Sequence, residues 1–485
     1  MTTKTQEQAD PVEAAEVTGE PKVEHPTERE RAARGRAARA VVPRSAQTAL
    51  ELVGGRDPVG ILDADSPNRA PDLVPIRYGR MLVSPFTFYR GSAALMAHDL
   101  AATPSSGLIV QLCGDAHLAN FGGYGSPERT LVFDLNDFDE THRGPFEWDV
   151  KRLACSFEVA ARHRGLGDSE RRAALTAVLE AYRSAMREFA SMGNLDVWYA
   201  RLDADMLEAE LRRQREKKAA STVARGAAKA HTKNSLKALA KLTHEVDGEL
   251  RIVSDPPLIV PIEEMIDADQ ATDAVERLRE LLRAYRGTLP ADRRELLESF
   301  RLVHLARKVV GVGSVGTRCF IALLVGRDNA DPLFLQVKEA GPSVLEPFLG
   351  RSPFENHGRR VVEGQRLMQA ASDIFLGWVH SDAGLDGKPR DFYVRQLWDW
   401  KSSVDLETIS PSALLIYAKI CGWTLARAHA RSGDRIAIGS YLGSGDRFDR
   451  AVAEFATAYA DLNDRDYEAL LAARESGRIA VVEGM

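Results

Sequence analysis

The chain has 485 residues, 44% of them hydrophobic and 28% charged, enough apolar material for a globular protein of roughly two to four domains. Its 64 basic residues against 70 acidic ones give a formal net charge of −6, which excludes a global pull toward nucleic acid or anionic membrane; such a partner would need a local basic patch. Cys113, Cys155, Cys319 and Cys421 make no C-x-x-C pair, so neither a disulfide framework nor a structural zinc site is expected. A polar, acidic N-terminus and the lack of an apolar run of about 20 residues predict a soluble, cytoplasmic chain with no membrane partner.

Residues 1–27 are rich in Glu, Thr, Pro and Ala and are expected to be a disordered tail, since they cannot bury enough apolar surface to offset ordering. "TERERAARGRAARAVV" reads as an Arg-rich helix, and the folded part is expected from Tyr78, with a helix starting near Gly91. "LIVQL" is a buried strand running into the Gly-punctuated loop "CGDAHLANFGG", and "TLVFDLNDFDE" a second strand ending in carboxylates. From Trp148 to about Leu242 the pattern is helical and its later part basic; "DPPLIVPI" is extended, and 262–308 is expected to be helical again. "VVGVGSVGTRCFIALLVG", "PLFLQVKEA" and "DFYVRQLWDW" are strand-like, with a helix containing "RRVVEGQRLMQA" before the last of them. From Pro411 the chain is helical, and no internal repeat is visible.

In "GDAHLAN" the loop acid Asp115 is followed five residues later by Asn120. That pairing suits phosphoryl transfer: the Asp can orient or deprotonate an attacking hydroxyl, and the amide oxygen can ligate a hard cation that carries phosphates. Asp134, Asp137, Asp139 and Glu140 supply further oxygen donors of the kind magnesium prefers. The competing reading is a turn whose polar side chains satisfy its own backbone, followed by a solvated strand end. His117 is read as structural, and Cys113 as a small buried residue with no polarising partner.

A phosphate site calls for a cradle. Gly311, Gly313 and Gly316, with Ser314 between them, form a G-x-G-x-x-G array between two strand-like segments, where backbone N–H groups can approach phosphates from above. The alternative is an ordinary hairpin. Lys338 lies among apolar strand neighbours, a costly position for an unpaired ammonium, and Glu363 on the following helix is its expected partner.

These residues resemble the protein-kinase-like superfamily, most closely its aminoglycoside and choline phosphotransferase branch, whose catalytic loop reads G-D-x-H-x-x-N. The resemblance implies ATP and Mg2+ as cofactors, Asp115 as catalytic base, Asn120 as a metal ligand and Asp137 as the principal metal carboxylate, with Asp134 and Asp139 as rivals; Asp149 matches a later helix Asp. It further implies nucleotide contacts from Gly311, Gly313, Ser314, Gly316, Lys338 and Glu363, and a hinge in "DFYVRQLWDW". From Tyr78 onward "RMLVSPFTFYRG", "LCGDAHLANFG", "FDLNDFDE", "EWDVKRLA" and "LQVKEA" also resemble an uncharacterised bacterial family, domain of unknown function 2252, which brings no substrate.

The order of parts departs from ordinary kinases, because the catalytic loop precedes the glycine array, while "AKICGWTLARAHARSGD" near the end resembles the helix that normally enters that loop. The expectation is therefore an α+β, two-lobed, circularly permuted kinase-like fold with a large helical insertion. Its expected parts are a tail over 1–27, N-terminal helices with the catalytic loop and metal strands over 28–150, and helices of the large lobe over 151–307. A nucleotide-binding small lobe over 308–400 and C-terminal helices over 401–485 complete it. The expected activity is ATP- and magnesium-dependent phosphoryl transfer to an unknown acceptor, small molecule or protein. Arg90 and the basic stretch near Lys229–Lys241 could bind an anionic acceptor, although a solvated helix face is the first reading of that stretch. An adenylyl transferase and a nucleotide-binding pseudokinase or scaffold are the alternatives.

Overall fold

The computed structural model describes residues 24–213, 216–266, 271–384 and 387–484; the expected tail lies, up to residue 23, outside them. The fold is α+β. Strand β1 (Ile109–Leu112) pairs antiparallel with β4 (His142–Pro145). The hairpin of β2 (Phe121–Gly125) and β3 (Leu131–Leu135) is flanked by the short strands β5 (Leu202–Asp203) and β14 (Ser402–Ser403). Strands β6 (Thr243–Val246) and β7 (Glu249–Ile252) form a separate hairpin. The largest sheet is wholly antiparallel: β12 (Gly377–Ser381), β13 (Arg390–Gln396), β11 (Pro332–Ala340), β10 (Cys319–Val325), β9 (Arg301–Lys308) and β8 (Ile259–Pro261), in that spatial order.

Sequence patterning accounts for these elements locally. "CFIALLV" in β10 is buried along its whole length, as a central strand covered on both faces must be. Ser84 and Thr87 form a capping box with Pro85 at the first helical position, which starts the helix Pro85–Gly91. Ser410 and Pro411 start the helix Pro411–Ser432 in the same manner. That helix ends at Gly433, where a Cβ would lie 2.6 Å from Val110 of β1, so only glycine lets helix end and strand approach so closely.

The main core packs the helices Phe146–His163, Asp168–Ser191, Pro411–Ser432 and Arg447–Glu475 around β1, through residues such as Phe146, Tyr182, Tyr417, Leu425 and Phe455. Two further cores lie on opposite faces of the six-stranded sheet. Phe320, Ala322, Leu324, Leu335 and Val394 pack with Tyr285 and Leu289 on one face. Ile321, Leu323 and Phe334 pack on the other with Ala238 and Leu242 of the helix Ser235–Leu242 and with Ile252 of β7.

Three expectations need correction. The folded part begins before Tyr78: the helix Glu28–Val41 packs on the helix Arg435–Leu442 so closely that a Cβ on Gly35 would lie 2.0 Å from the Ala437 carbonyl oxygen. The stretch after the catalytic loop is a strand, β2, because β3 pairs with it across five residues. Over 262–308, the helices Ala271–Gly287 and Ala291–Glu298 are followed by β9, so the six-stranded sheet draws a strand from the region expected to be helical. "RLVHLARK" fits either period, and pairing with β10 decides it. No helix among the described residues is long and apolar enough to cross a membrane.

Candidate active site

The loop after β1 is tied to the helix Phe146–His163. Gly114 turns with φ +82°, and a Cβ there would lie 2.2 Å from the Glu140 carbonyl oxygen, so no other residue fits. The Cys113 and Gly114 N–H groups donate to the Asp149 carboxylate at 2.7 and 3.0 Å, and Leu118 N–H donates to Ser156 Oγ at 2.9 Å. Asp149 thus shapes the loop. Asp115 Oδ1 accepts from Arg152 Nε and Nη2 at 2.9 and 2.7 Å, which fixes the carboxylate while the residue lines a cavity. His117 Nε2 is 3.7 Å from Asp115 Oδ2; burial pushes its imidazole down to about 4, so it is neutral near pH 7. Burial likewise pushes the Cys113 thiol well above its ordinary value, in keeping with a structural role.

Asn120 ties this loop to the end of β3. Its Nδ2 donates to the Asp115 and Asp137 carbonyl oxygens at 3.0 and 2.9 Å, while its Oδ1 accepts from Asp137 N–H at 2.8 Å. One lone pair of that oxygen is left for a cation. Asp134, offered as a rival metal carboxylate, is ruled out by its surroundings. It is fully buried, receives Arg427 Nη2 at 2.5 Å on both oxygens, and accepts the Ala370 and Leu135 N–H groups at 2.9 Å.

Asp137 and Asp139 face Lys338. The Lys338 Nζ lies 3.3 Å from Asp137 Oδ2 and also donates to Asp139 Oδ2. Asp139 further accepts from Tyr393 Oη at 2.9 Å and from Ser314 Oγ, in the glycine array, at 3.1 Å. Lys338 is only 2% exposed. Burial alone would lower its ammonium, but Asp137 and Asp139 outweigh it and hold it well above its ordinary value. Burial likewise opposes ionisation of Asp137, and Lys338, Arg395 and Lys401 override it, holding that carboxyl well below the usual range.

The expected Lys338–Glu363 pair is replaced. Glu363 lies 3.8 Å from Arg366 on its own helix, His357–Met368. That helix reaches the acidic loop through Arg360 instead, whose Nη1 donates to the Thr141 carbonyl oxygen at 2.7 Å and Nη2 to those of Asp139 and Gly341 at 2.8 Å.

The glycine array joins β9 to β10, with Gly311 and Gly316 at φ +69° and +95°, values that glycine adopts without strain. Its carbonyl oxygens are held from the N-terminal segment: Arg80 Nη1 donates to Gly311 at 2.6 Å, and Arg69 Nη1 to Gly313 and Val315 at 2.9 and 2.6 Å.

Asp115, Asn120, Asp137, Asp139, Gly311, Gly313 and Ser314 all line one cavity of about 930 Å³. Its other wall carries Lys233, Lys237 and Lys241, together with Lys401 and Trp398. Alternation along β11 puts Lys338 on the same sheet face as Phe334, and the helix Ser235–Leu242 covers the apolar part of that face. Sequence reading missed Arg152, Arg360, Arg427 and Lys401. Arg152 lies three residues after Asp149, one helical turn on, and that spacing was the available signal; no local pattern marks the others. The basic stretch around Lys229–Lys241 was read chiefly as a solvated helix face; Lys237 and Lys241 are exposed, and with Lys233 they also border the cavity.

Among the described residues no three carboxylate, imidazole or thiolate groups form a ready-made metal cage. Asp137 with Asn120 is a donor set of the sparse kind that suits magnesium, which keeps several waters and shares its shell with phosphates.

A model of a protein family conserved in bacteria and described as uncharacterised, DUF2252, matches residues 69–473. The chain belongs to this family. The DUF2252 match spans the loop, the glycine array, Lys338 and the lysine wall alike. No curated protein and no solved structure matches the chain.

Proposed function

We propose that this DUF2252 protein is an ATP- and magnesium-dependent phosphotransferase with a two-lobed, circularly permuted kinase-like fold. The observation that carries the reading is the meeting of Lys338 and Ser314 with Asp137 and Asp139. These groups are 175 to 201 residues apart in the chain; Ser314, Asp137 and Asp139 line one cavity with Asp115, and Lys338 is buried behind the two acids. An ordinary hairpin glycine array and a solvated acidic strand end would have no reason to meet.

In this reading the backbone of Gly311–Gly316 and Lys338 contact the nucleotide phosphates, and Asp137 and Asn120 hold magnesium, which neutralises charge on the transferring phosphoryl group. Asp115, fixed by Arg152, orients the acceptor hydroxyl. Trp398, in the stretch read as the hinge, offers an aromatic ring at the cavity wall for the base.

Two contacts support the permutation. The helix Pro411–Ser432 ends against β1, with Gln111 N–H donating to Ser432 Oγ at 3.2 Å across 321 residues of sequence, so the helix leads in space into the catalytic loop it does not precede in the chain. The C-terminal segment also returns to the region just ahead of the catalytic loop, Val482 N–H donating to the Pro75 carbonyl oxygen at 3.0 Å.

Calorimetric titration with ATP, with and without magnesium, tests the reading. Binding is expected to require magnesium and to weaken roughly tenfold or more in both Lys338→Ala and Asp137→Asn, each losing a charged contact; no binding by the wild type would sink it. Asp115→Asn is expected to lower turnover by about 10²- to 10⁴-fold with nucleotide affinity little changed.

A further inference from the structure

Five cations face the cavity without a carboxylate partner among the described residues. Lys237 and Lys241 stand one turn apart on the helix Ser235–Leu242 and so share a face; Lys233 lies just before that helix, and all three line the cavity as one lysine stripe. The backbone pins that stripe, Trp400 N–H donating to the Lys233 carbonyl oxygen at 2.8 Å. Lys241 Nζ stands 6.0 Å from the centre of the Trp398 ring. Lys401 lines the cavity from the adjoining segment, and Arg90 from the opposite wall, its Nε buried and without a hydrogen bond.

The acids of the cavity do not balance them. Asp65 pairs with Arg69, Asp115 with Arg152, Asp139 with Lys338, and Glu339 with Arg318 and Arg390. Burial pushes Glu140 up to about 7, so it is about half ionised at neutrality and largely uncharged below it. Asp137 is shared with Lys338. Burial above all, and then Arg395, push the Lys401 ammonium down to about 7 against the pull of Asp137.

We propose that the lysine stripe Lys233, Lys237 and Lys241, with Lys401, binds a phosphorylated small-molecule acceptor, so that the enzyme phosphorylates an anion. The proposal rests on the phosphotransferase reading. In that reading the nucleotide has its own contacts in Lys338, the glycine array and the magnesium held by Asp137. The stripe adds a second cationic surface to the cavity that Asp115 also lines. A half-open cavity of about 930 Å³ is near the upper end of small-molecule sites, about 300–1,000 Å³, and has room for a nucleotide with a small co-substrate. In the transfer, the acceptor hydroxyl oxygen bonds to the γ-phosphorus of ATP as the bond from that phosphorus to the β-bridging oxygen breaks; ADP leaves and the hydroxyl proton passes toward Asp115.

Pyrophosphate is the probe, titrated calorimetrically into the full chain already saturated with a non-hydrolysable ATP analogue and magnesium. Pyrophosphate is expected to bind this loaded protein. The pair Lys237→Glu and Lys241→Glu is expected to weaken it about tenfold or more, as befits lost charged contacts, and to change analogue affinity within about threefold. Lys237→Gln with Lys241→Gln is the neutral counterpart, and melting by circular dichroism checks that both variants fold. Two results would overturn the proposal: pyrophosphate binding that the analogue abolishes, which would assign the stripe to the nucleotide, or binding that neither variant changes. If the wild type takes up no analogue, the phosphotransferase reading fails by itself, and titration of the unloaded variants still decides whether the stripe is an anion site.

Discussion

Asp134 and Asp137 stand three residues apart at the end of β3, and each meets a cation brought from far along the chain. Asp134 is sealed in with Arg427, both fully desolvated, and backbone N–H groups take its remaining acceptor capacity. Asp137 shares Lys338 with Asp139 and keeps a side chain 40% exposed toward the cavity. The first arrangement has nothing left to offer a ligand. The second holds two acids on one ammonium, so either acid can be drawn away without stranding a buried charge. Accessibility and spare valence, not the type of residue, separate an architectural ion pair from a candidate site.

The strongest way to break this contrast is Asp134→Ala, which leaves the Arg427 guanidinium buried and unpaired and is expected to cost about 3–5 kcal/mol, read by urea unfolding. Adding Arg427→Met should recover much of the loss; a single variant as stable as wild type would refute the architectural assignment. Asp137→Asn should cost only about 1 kcal/mol in the same measurement, because Asp139 still holds Lys338.

A smaller effect sharpens the pH behaviour of the cavity. Glu140 has a folded-state value of about 7, above the roughly 4.3 of an unfolded chain. The stability it contributes is therefore complete below about pH 4.3 and is lost as pH rises through about 7. Glu140→Gln should flatten the fall in melting temperature across that window; an unchanged profile would show that Glu140 does not titrate there. The smallest effect is expected from Glu363→Gln, which should change ATP affinity and stability by no more than about 0.5 kcal/mol, since its partner is Arg366. A large loss of ATP affinity would restore the Lys338–Glu363 pairing in the bound state.

Much of the site was legible because its parts are local. "GDAHLAN", "NDFDE" and the glycine array each carry their residue types within a few positions, and the loop and turn that present them depend on those same residues. Glu363 misled because position on the next helix says nothing about which helical face meets the sheet, and Arg360 occupies the contact instead. The strand β9 was misread because eight residues mixing apolar and basic side chains have no period strong enough to resist their neighbours. The lysine stripe was visible as charge and as four-residue spacing, but solvent and cavity are indistinguishable to a sequence.

The sequence by itself determined the elements, their caps, the tight glycine turns and the inventory of acids, amides and cations, because backbone propensity and side-chain chemistry act over a few residues. Only the tertiary structure decided which carboxylate meets which cation and which basic helix faces the cavity. Those choices bring together residues far apart in the chain, such as Asp134 and Arg427, 293 positions apart, and they follow from which groups are desolvated together when the helices and sheets pack.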